Sequence, residues 1–341
     1  MERLTVDVDF LRRFERGLDP AHPERSQVPA RVLGYGEIST VFEIDTDDLR
    51  HLALKRLPIF RTESEMESFT ATYDEYNRLL EEDVGLNLPA FGHVAFVTEH
   101  GSTTPLSRDA AAAPRRRGRP VFYILQRQVP YASIGNRAMH VLPREGTLLL
   151  VRLVLQELRR VWEYNRSQNR VQVALDGQIS NWSLDGFDPQ QPSVDGKTRL
   201  YYLDTSTPLF RVCGVEQLNP ELFLRSAPSF LAWVLRRFFL ADVVNRYYDL
   251  RRVVMDLLAN FYKEQQDALV PDVLAVANEF FCTDVPEWGI APLTEPELRS
   301  YYREDAFIWS FYLAARKIDR FLSTRLLRRE YPYILPPAIK R

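Results

Sequence analysis

The sequence predicts an α+β protein with two lobes, in which a small antiparallel β-sheet lobe precedes a larger, mainly α-helical lobe. Three observations support this prediction. The chain has 341 residues, more than one small core usually serves. Strand signals dominate from residue 31 to about residue 128, and a helical repeat of apolar residues dominates after about residue 130. We therefore expect an N-lobe at 1–130 and a C-lobe at 131–341, joined by a hinge near 126–136.

The predicted N-lobe contains five strands and one main helix. A short amphipathic helix is expected over 5–17. The main helix is expected over 64–83, where Phe69, Tyr73 and Tyr76 recur at helical spacing. Between the last two strands lies a polar insertion at 101–120 whose RRRGR run could bind an acidic group, although a mobile solvated loop is the favoured interpretation. The five strands are expected within 31–36, 39–44, 49–57, 93–100 and 121–129.

The predicted C-lobe begins with a strong amphipathic helix over 146–166. Short strands and loops are expected within 171–187 and 198–210. From about residue 229 to residue 327 the apolar spacing is nearly all helical. The order of elements is thus five strands with one helix, followed by a mostly helical half.

Composition excludes several classes of protein. The net charge of −2 argues against a nucleic-acid or membrane-surface partner. Two cysteines and five histidines without metal-ligand spacing predict neither a disulfide framework nor a structural zinc site. The first twenty residues lack the apolar core of a signal peptide, and charged residues interrupt the most apolar segment, 230–261. We expect a cytoplasmic protein that does not enter a membrane.

The stretch RVLGYGEISTVFEI, residues 31–44, places two glycines between two short strands. Gly34 and Gly36, with Ser39 and Val41 after them, suit a hairpin whose backbone N–H groups approach phosphate oxygens. An ordinary hairpin turn is the alternative. The stretch alone does not decide between them.

The next strand carries LALK, which ends at Lys55. Only five of the 44 basic residues are lysines, so a lysine at this strand position is notable. A compact ammonium group positions phosphate as a point charge, which arginine does not reproduce. The helix that follows carries the acids Glu65, Glu67 and Glu75. A surface lysine and solvated acids are the competing interpretations.

Two further acidic motifs follow in the C-lobe. LDGQISN places Asp176 and Asn181 in one tight loop, 174–182, after a helix. LYYLDTS places Asp204 at the end of an apolar strand. A carboxylate at the end of a strand, such as that of Asp204, suits Mg²⁺. Either motif alone is common, and Asp204 in isolation would be read as a residue that caps a turn.

In combination and order, these motifs resemble those of the protein-kinase-like superfamily. Its glycine-rich loop reads G-x-G-x-x-G-x-V, its strand lysine lies in V-A-I-K, and its catalytic loop has the D-x-x-x-x-N spacing. Here Gly34, Gly36 and Val41 match the loop, and Ser39 replaces the third glycine. The resemblance covers about residues 31–210 by motif, and the rest only as a helical C-lobe. It implies a bilobal kinase-like fold.

The resemblance also implies an ATP- and Mg²⁺-dependent phosphotransferase acting on a hydroxyl group of a small-molecule acceptor. Asp176 would orient or deprotonate that hydroxyl, and Asn181 and Asp204 would hold the metal. Adenine would lie against the hinge from Gln126 to Val129. The implied phosphate-binding residues are Gly34, Gly36, Ser39, Val41 and Lys55. The resemblance also implies a helix acid that holds the lysine, for which Glu75 is chosen and Glu65 and Glu67 are the alternatives. The acceptor itself carries no transferable motif.

The chain departs from protein kinases at several positions. Ala174 and Leu175 precede Asp176 in place of His-Arg, and Thr205 follows Asp204 in place of Phe. No A-P-E anchor is present. These departures favour a branch nearer to aminoglycoside- and choline-kinase-like enzymes. They also leave two alternatives: an inactive pseudokinase that binds nucleotide or a protein partner, and an unrelated α+β protein. The last predicts that Lys55 and Asp204 lie far apart.

Overall fold

The structure, a computed structural model, describes residues 3–36, 38–98, 118–225, 244–326 and 331–336. It confirms a mixed α+β architecture with a small antiparallel sheet and several helices. Most of the predicted basic insertion lies outside the described residues, as does the start of the predicted helical region at 229–243.

The main sheet has five antiparallel strands in the order β1-β2-β3-β5-β4. Two smaller sheets are formed by β10-β9-β6 and by β7-β8. The strands are β1 (Ala30–Tyr35), β2 (Thr40–Ile44), β3 (Leu52–Leu57), β4 (Phe91–Val97), β5 (Pro120–Arg127), β6 (Val171–Val173), β7 (Trp182–Leu184), β8 (Leu200–Tyr202), β9 (Phe210–Val212) and β10 (Val215–Glu216).

The described helices follow the expected order. A π-helical turn extends the second helix through Leu79–Asp83, and a similar turn at Leu322–Leu326 extends the last. The helices are α1 (Val8–Gly17), α2 (Glu63–Arg78), α3 (Gly135–Ala138), α4 (Arg144–Ser167), α5 (Glu221–Leu224), α6 (Leu250–Lys263), α7 (Val270–Thr283) and α8 (Glu295–Phe321).

The main sheet is buried on both faces. Lys55 and Leu57 belong to its inner face, where Phe122 packs against the α2 residues Phe69 and Tyr73. Arg56 belongs to the opposite, outer face. There the apolar cluster contains residues of β3 and β5, of α1 and of the C-terminal segment 331–336. Burial on both faces explains why β5 reads as a continuous apolar run rather than an alternating one.

The C-terminal half is built around the long helix α4. Its buried side packs in one large apolar cluster with α6 and α7, and Tyr76 of α2 joins the same cluster. Asp249 begins α6 by accepting a hydrogen bond from the Arg252 N–H at 3.2 Å, as an N-cap residue does. No helix within the described residues is long and apolar enough to cross a membrane.

Candidate functional site

Strand register aligns the glycine-containing hairpin with the strand lysine. Gly34 of β1 lies opposite Val41 of β2, and Val41 lies opposite Lys55 of β3. Because side chains alternate along a strand, Lys55 reaches the inner face of the sheet and Arg56 the outer face. Lys55 therefore lies on the strand next to the hairpin, in register with Val41.

The hairpin turn itself is closed by its own hydrogen bonds. The Gly36 N–H donates to the main-chain oxygen of Ser39 at 3.0 Å. A Cβ atom on Gly36 would lie 2.6 Å from the Ser39 hydroxyl, so a larger residue there would require the Ser39 side chain to rotate away. Ile38 is buried in the inner apolar cluster. In this conformation the Gly36 N–H is bonded to Ser39, and contact of Gly36 with a phosphate stays a prediction.

Lys55 meets the strand-end aspartate across 149 residues of sequence. Its Nζ lies 2.6 Å from Oδ1 of Asp204. The two side chains are 18% and 27% exposed, so the pair is accessible from solvent. Lys55 and Asp204 are thus in contact, contrary to what a chance assortment of motifs predicts.

Asp204 is held in its charged form. Burial disfavours the carboxylate, but Lys55 and Ser206 outweigh that effect and keep the pKa of Asp204 below its ordinary value. The hydroxyl and the N–H of Ser206 donate to Oδ1 at 2.7 and 3.2 Å. Oδ2 makes no hydrogen bond within the described residues. Sequence reasoning did not identify Ser206.

The predicted catalytic loop packs directly against the strand that precedes Asp204. The Leu203 N–H donates to the main-chain oxygen of Asn181 at 2.8 Å. The Asn181 Nδ2 donates to the main-chain oxygen of Asp176 at 3.1 Å, which leaves its Oδ1 without a hydrogen bond within the described part of the chain. The structure therefore brings Asp176, Asn181, Asp204 and Lys55 to one place.

The Asp176 carboxyl is unusually easy to protonate. Burial, the negative charge of Asp256 and, more weakly, that of Asp204 raise its pKa to about 7. The Gln178 N–H donates to its Oδ1 at 3.0 Å and opposes the rise, as does the charge of Arg246. A carboxyl with such a pKa exchanges a proton near neutral pH.

Sequence reasoning did not find Asp256. It lies inside the apolar helix α6, and Tyr301 of α8 donates to its Oδ1 at 3.1 Å. Burial raises the pKa of Asp256 although Arg246 opposes the rise. No local motif marks this residue, because its neighbourhood is created by the packing of α6 against the catalytic loop and α8.

The predicted pairing of Glu75 with Lys55 is wrong in this structure. Glu75 accepts two hydrogen bonds from Arg78, one turn further along α2, at 2.8 and 3.0 Å. Its side chain is 45% exposed. Tyrosines occupy the buried side of α2 instead, and the Tyr76 hydroxyl donates to the main-chain oxygen of Ala174 at 2.8 Å.

The alternative helix acids do not replace Glu75. Glu65 bonds to Arg225 at 2.9 Å, and Glu67 is exposed. Asp204 is therefore the carboxylate that binds Lys55.

Part of the predicted hinge belongs to strand β5 of the main sheet. Gln126 lies opposite Ala53 on one side and Phe91 on the other, so its main chain belongs to the ladders of β5. Its side chain donates to the main-chain oxygen of Leu203 at 3.1 Å and ties the strand to the Asp204 segment. Val129 lies beyond the end of β5, half-buried. Of the two hinge residues, Val129 is the one with main-chain groups outside the sheet.

The oxygen atoms available at this site fit a partly hydrated Mg²⁺ ion. They do not form a site in which protein side chains supply every metal ligand. Within the described residues no group of three histidine, cysteine, aspartate or glutamate side chains is placed to hold a metal ion. Oδ2 of Asp204 and Oδ1 of Asn181 accept no hydrogen bond within the described residues, and they belong to adjoining segments. Both atoms are therefore available as metal ligands. Mg²⁺ is commonly bound by one or two such groups with water and phosphate as its other ligands. The residues present therefore fit that ion.

Cavity volume does not identify this site. A cavity of about 900 Å³ lies on the other side of the sheet, between β1 and the end of α8, and Tyr35, Glu43 and Lys317 are among the residues that line it. It contains none of the predicted site residues. The polar geometry around Lys55 and Asp204 is what distinguishes the site.

Comparison with protein families matches residues 19–320 to DUF6206, a family of unknown function. The chain belongs to this family. The match includes all the site residues described above. No curated protein matches the chain. Membership in DUF6206 therefore assigns no activity, and the arguments for a function come from the geometry of the site.

Proposed function

We propose that this DUF6206 member is an ATP- and Mg²⁺-dependent phosphotransferase that acts on a hydroxyl of a small-molecule acceptor. The observation that carries the proposal is the 2.6 Å contact between Lys55 and Asp204, formed beside the loop that bears Asp176 and Asn181. Phosphoryl transfer needs positioning and charge neutralisation, and these four side chains supply both.

The arrangement of elements supports a bilobal kinase-like fold. Lys55 comes from the five-stranded sheet with α2, which would be the N-lobe. Asp176, Asn181 and Asp204 come from the segments that join the helical half, which would be the C-lobe. A site composed in this way lies where the two halves meet, as a cleft between lobes requires.

Each polar group has a defined role in the proposal. Lys55 would exchange its contact with Asp204 for the phosphates of the nucleotide. Asp204 and Asn181 would hold Mg²⁺ through their free oxygens. The ion would supply positive charge to the phosphate oxygens.

Asp176 would orient the acceptor hydroxyl and take its proton. Its pKa of about 7 lies near the pH at which such a base works best. The hydrogen bond from the Gln178 N–H fixes one carboxylate oxygen, while the other remains for the acceptor. Burial and the nearby charges of Asp256 and Asp204, rather than any residue next to Asp176 in sequence, give this carboxyl its basicity.

A nucleotide-binding protein without catalytic activity is the second candidate. Two observations favour it: Oδ1 of Asp204 already accepts from Lys55 and Ser206, and Glu75 does not support the lysine. Such a pseudokinase would use the site to present a surface to a protein partner. It would bind nucleotide with little dependence on Mg²⁺.

Thermal unfolding with ATP, with and without Mg²⁺, tests the proposal. A ligand at 100 times its Kd stabilises by about 2.7 kcal/mol, which raises Tm by several degrees in a chain of this size. We expect a Mg²⁺-dependent rise in the wild type that Asp204→Asn loses. Asp185→Asn removes an exposed carboxylate paired with Arg199 and serves as the matched control, which should keep the rise.

ADP formation separates the two candidates. With water as the acceptor, the wild type should release ADP slowly, and Asp176→Asn should release none while keeping the thermal shift. A thermal shift without Mg²⁺ dependence and without ADP release would favour the pseudokinase. No thermal shift under any condition would contradict both candidates.

A further inference from the structure

Strand β1 forms one edge of the main sheet. In the order β1-β2-β3-β5-β4 it pairs with β2 on one side, and within the described residues no strand pairs with its other side. The edge of a sheet presents main-chain N–H and C=O groups that can hydrogen-bond to an added strand. We call this side of β1 the free edge.

The hydrogen bonds between β1 and β2 show which groups face the free edge. The Asp45 N–H donates to the main-chain oxygen of Pro29 at 3.3 Å. Because hydrogen-bonded positions alternate along an antiparallel pair, the main-chain groups of Arg31 are directed towards Glu43 of β2. Those of Val32 are directed towards the free edge and have no partner among the residues that the structure describes. The regular ladder ends there, because the register shifts after Val32.

The cavity of about 900 Å³ extends along this free edge. Its lining includes four consecutive residues, Pro29, Ala30, Arg31 and Val32. Consecutive side chains of a strand point to opposite faces of a sheet, so a cavity that reaches all four residues lies along the edge and not over one face. Its volume is within the range of about 300–1,000 Å³ that is common for binding clefts.

The opposite wall of the cavity is basic. Lys317 and Arg320 of α8 line it, and both are exposed. Neither side chain makes an ion pair or a hydrogen bond within the described part of the chain. Arg316, by contrast, is 3% exposed and lies over the rings of Tyr312 and Tyr333. The fold therefore uses Arg316 and leaves Lys317 and Arg320 available to a ligand.

The acidic residues that line the same cavity are already paired with arginines. Their charges are thus largely balanced within the fold, and the charge available to a ligand is positive. The pairs are Glu43 with Arg31 at 2.8 Å, Asp45 with Arg50 at 2.5 Å and Glu24 with Arg25 at 3.8 Å.

The rest of this chain does not offer an acidic segment for the cavity. The longer segments outside the described residues each contain more basic than acidic residues. Charge therefore favours an occupant that comes from another protein. These segments are 99–117, 226–243, 327–330 and 337–341.

We propose that the free edge of β1 binds an extended acidic segment of a partner protein as an added strand, with acidic side chains on Lys317 and Arg320. Main-chain hydrogen bonds to an edge strand give such peptides affinity, and alternate side chains give them specificity. The added strand would pair with β1 up to Val32, where the regular ladder ends.

The spacing of the two cations predicts the pattern of the peptide. Residues three apart on a helix have Cβ atoms about 5–6 Å apart, and alternate residues of a strand lie about 7 Å apart on one face. Two acidic residues separated by one residue can therefore reach Lys317 and Arg320 together. Ile334 and Leu335 line the same cavity, so an apolar side chain is expected on the same face of the peptide.

Fluorescence polarisation of the labelled peptide SETETVTS with the full chain tests the proposal. We expect saturable binding by the wild type and at least tenfold weaker binding by Lys317→Glu. Lys197→Glu is the matched control, because it makes the same charge change at an exposed lysine between β7 and β8. This control should bind as the wild type does, and circular dichroism should show all three proteins folded.

Methylation of main-chain nitrogens in the peptide tests whether it binds as a strand. The N–H groups of alternate residues point to opposite sides of a strand, so only one alternate set can face β1. Methylation of the second and fourth residues or of the third and fifth residues should therefore differ: one set should weaken binding at least tenfold, and the other should leave it unchanged.

Several results would overturn the proposal. Equal affinity of the two methylated peptides would favour a simple anion site without strand pairing. Equal binding by Lys317→Glu and the wild type, equal binding of the lysine peptide SKTKTVTS, or no binding of SETETVTS would exclude an acidic strand at this edge. None of these results depends on the proposed phosphotransferase activity, because the cavity contains none of the site residues.

Discussion

Two neighbouring residues of β3 make ion pairs of opposite character on the two faces of the sheet. Lys55, on the inner face, binds Asp204 in a pair that solvent reaches. Arg56, on the outer face, binds Glu15 of α1, and both side chains are at most 7% exposed. In both pairs a basic side chain of β3 binds a carboxylate. The pairs differ in their exposure to solvent and in how many of their polar atoms are hydrogen-bonded.

The outer pair is saturated. Arg56 donates to both carboxylate oxygens of Glu15 and to the main-chain oxygen of Pro332, and Tyr123 donates to the same carboxylate at 2.6 Å. Burial disfavours the Glu15 carboxylate, yet Arg56 and Tyr123 hold its pKa below the ordinary value. This cluster joins α1, the sheet and the C-terminal segment 331–336.

The inner pair is left unsaturated. Oδ2 of Asp204 and Oδ1 of Asn181 have no hydrogen-bond donor within the described residues, and Lys55 has one charged partner. A buried pair with all its bonds made supports the fold, whereas an accessible pair with free oxygens can take a ligand. This difference is the physical basis for placing a binding site on the inner face only.

The largest change in the free energy of unfolding is expected when the outer pair is broken. Arg56→Met leaves the Glu15 carboxylate buried without its cation, which typically destabilises by about 3–5 kcal/mol. Urea unfolding should show this loss. The double variant Arg56→Met with Glu15→Leu should recover most of it, and a single variant as stable as the wild type would show that the outer pair does not support the fold.

The second prediction concerns pH and Asp176. Its folded pKa of about 7 lies above the ordinary value of 3.8, so the native carboxyl keeps a proton that the unfolded chain has lost between about pH 4 and pH 7. Wild-type stability is therefore lost as pH rises through this range. Asp176→Asn removes the titration and should gain on the order of 4 kcal/mol relative to the wild type between pH 4 and pH 8.

Thermal unfolding of both proteins across this range checks the prediction. A stability difference that stays constant from pH 4 to pH 8 would show that Asp176 has an ordinary pKa. The same carboxyl would then be a poor candidate for a base near neutral pH.

A smaller effect is expected from Lys55. Because the pair is partly exposed and Ser206 continues to bond Asp204, Lys55→Met should lower the free energy of unfolding by about 1–2 kcal/mol, less than Arg56→Met does. Urea unfolding beside Arg56→Met makes the comparison direct. Equal destabilisation by the two variants would contradict the distinction between the inner and outer pairs.

The smallest effect is expected from Glu75. Glu75→Gln weakens only its exposed pair with Arg78, which is worth about 0.5 kcal/mol or less. The nucleotide-dependent rise in Tm should be unchanged. If Glu75→Gln lost the nucleotide-dependent rise in Tm, Glu75 would belong to the site after all. Lys55 would then have to move towards Glu75 when the nucleotide binds.

The sequence predicts the elements of the fold better than the partners within the site. The spacing of Phe69, Tyr73 and Tyr76 identified α2 because packing on one face imposes that period. Lys55 and Asp204 could be predicted as site residues from the apolar pattern of their strands. Lys55 lies within β3, and Asp204 follows the end of β8. The α+β class follows from the same patterns.

The partners of individual side chains could not be read from the sequence. The sequence pattern pairs Glu75 with Lys55, but in the structure Glu75 accepts hydrogen bonds from Arg78, one turn away on the same helix. The spacing of apolar residues along a helix does not show which basic side chain lies nearest to an acid. The basicity of Asp176 depends on Asp256, which is 80 residues further along the chain and has no local motif. The pairing of Arg56 with Glu15 likewise arises only when α1 packs on the outer face.

The most direct test of the central claim is isothermal titration of ATP with Mg²⁺ into the wild type and Lys55→Met, with Arg78→Met as a control that removes a cation outside the site. The account predicts binding by the wild type and the control, and at least tenfold weaker binding by Lys55→Met, a difference of about 1.4 kcal/mol or more. Equal affinity in all three proteins, or no binding by the wild type, would contradict a nucleotide site at Lys55 and Asp204.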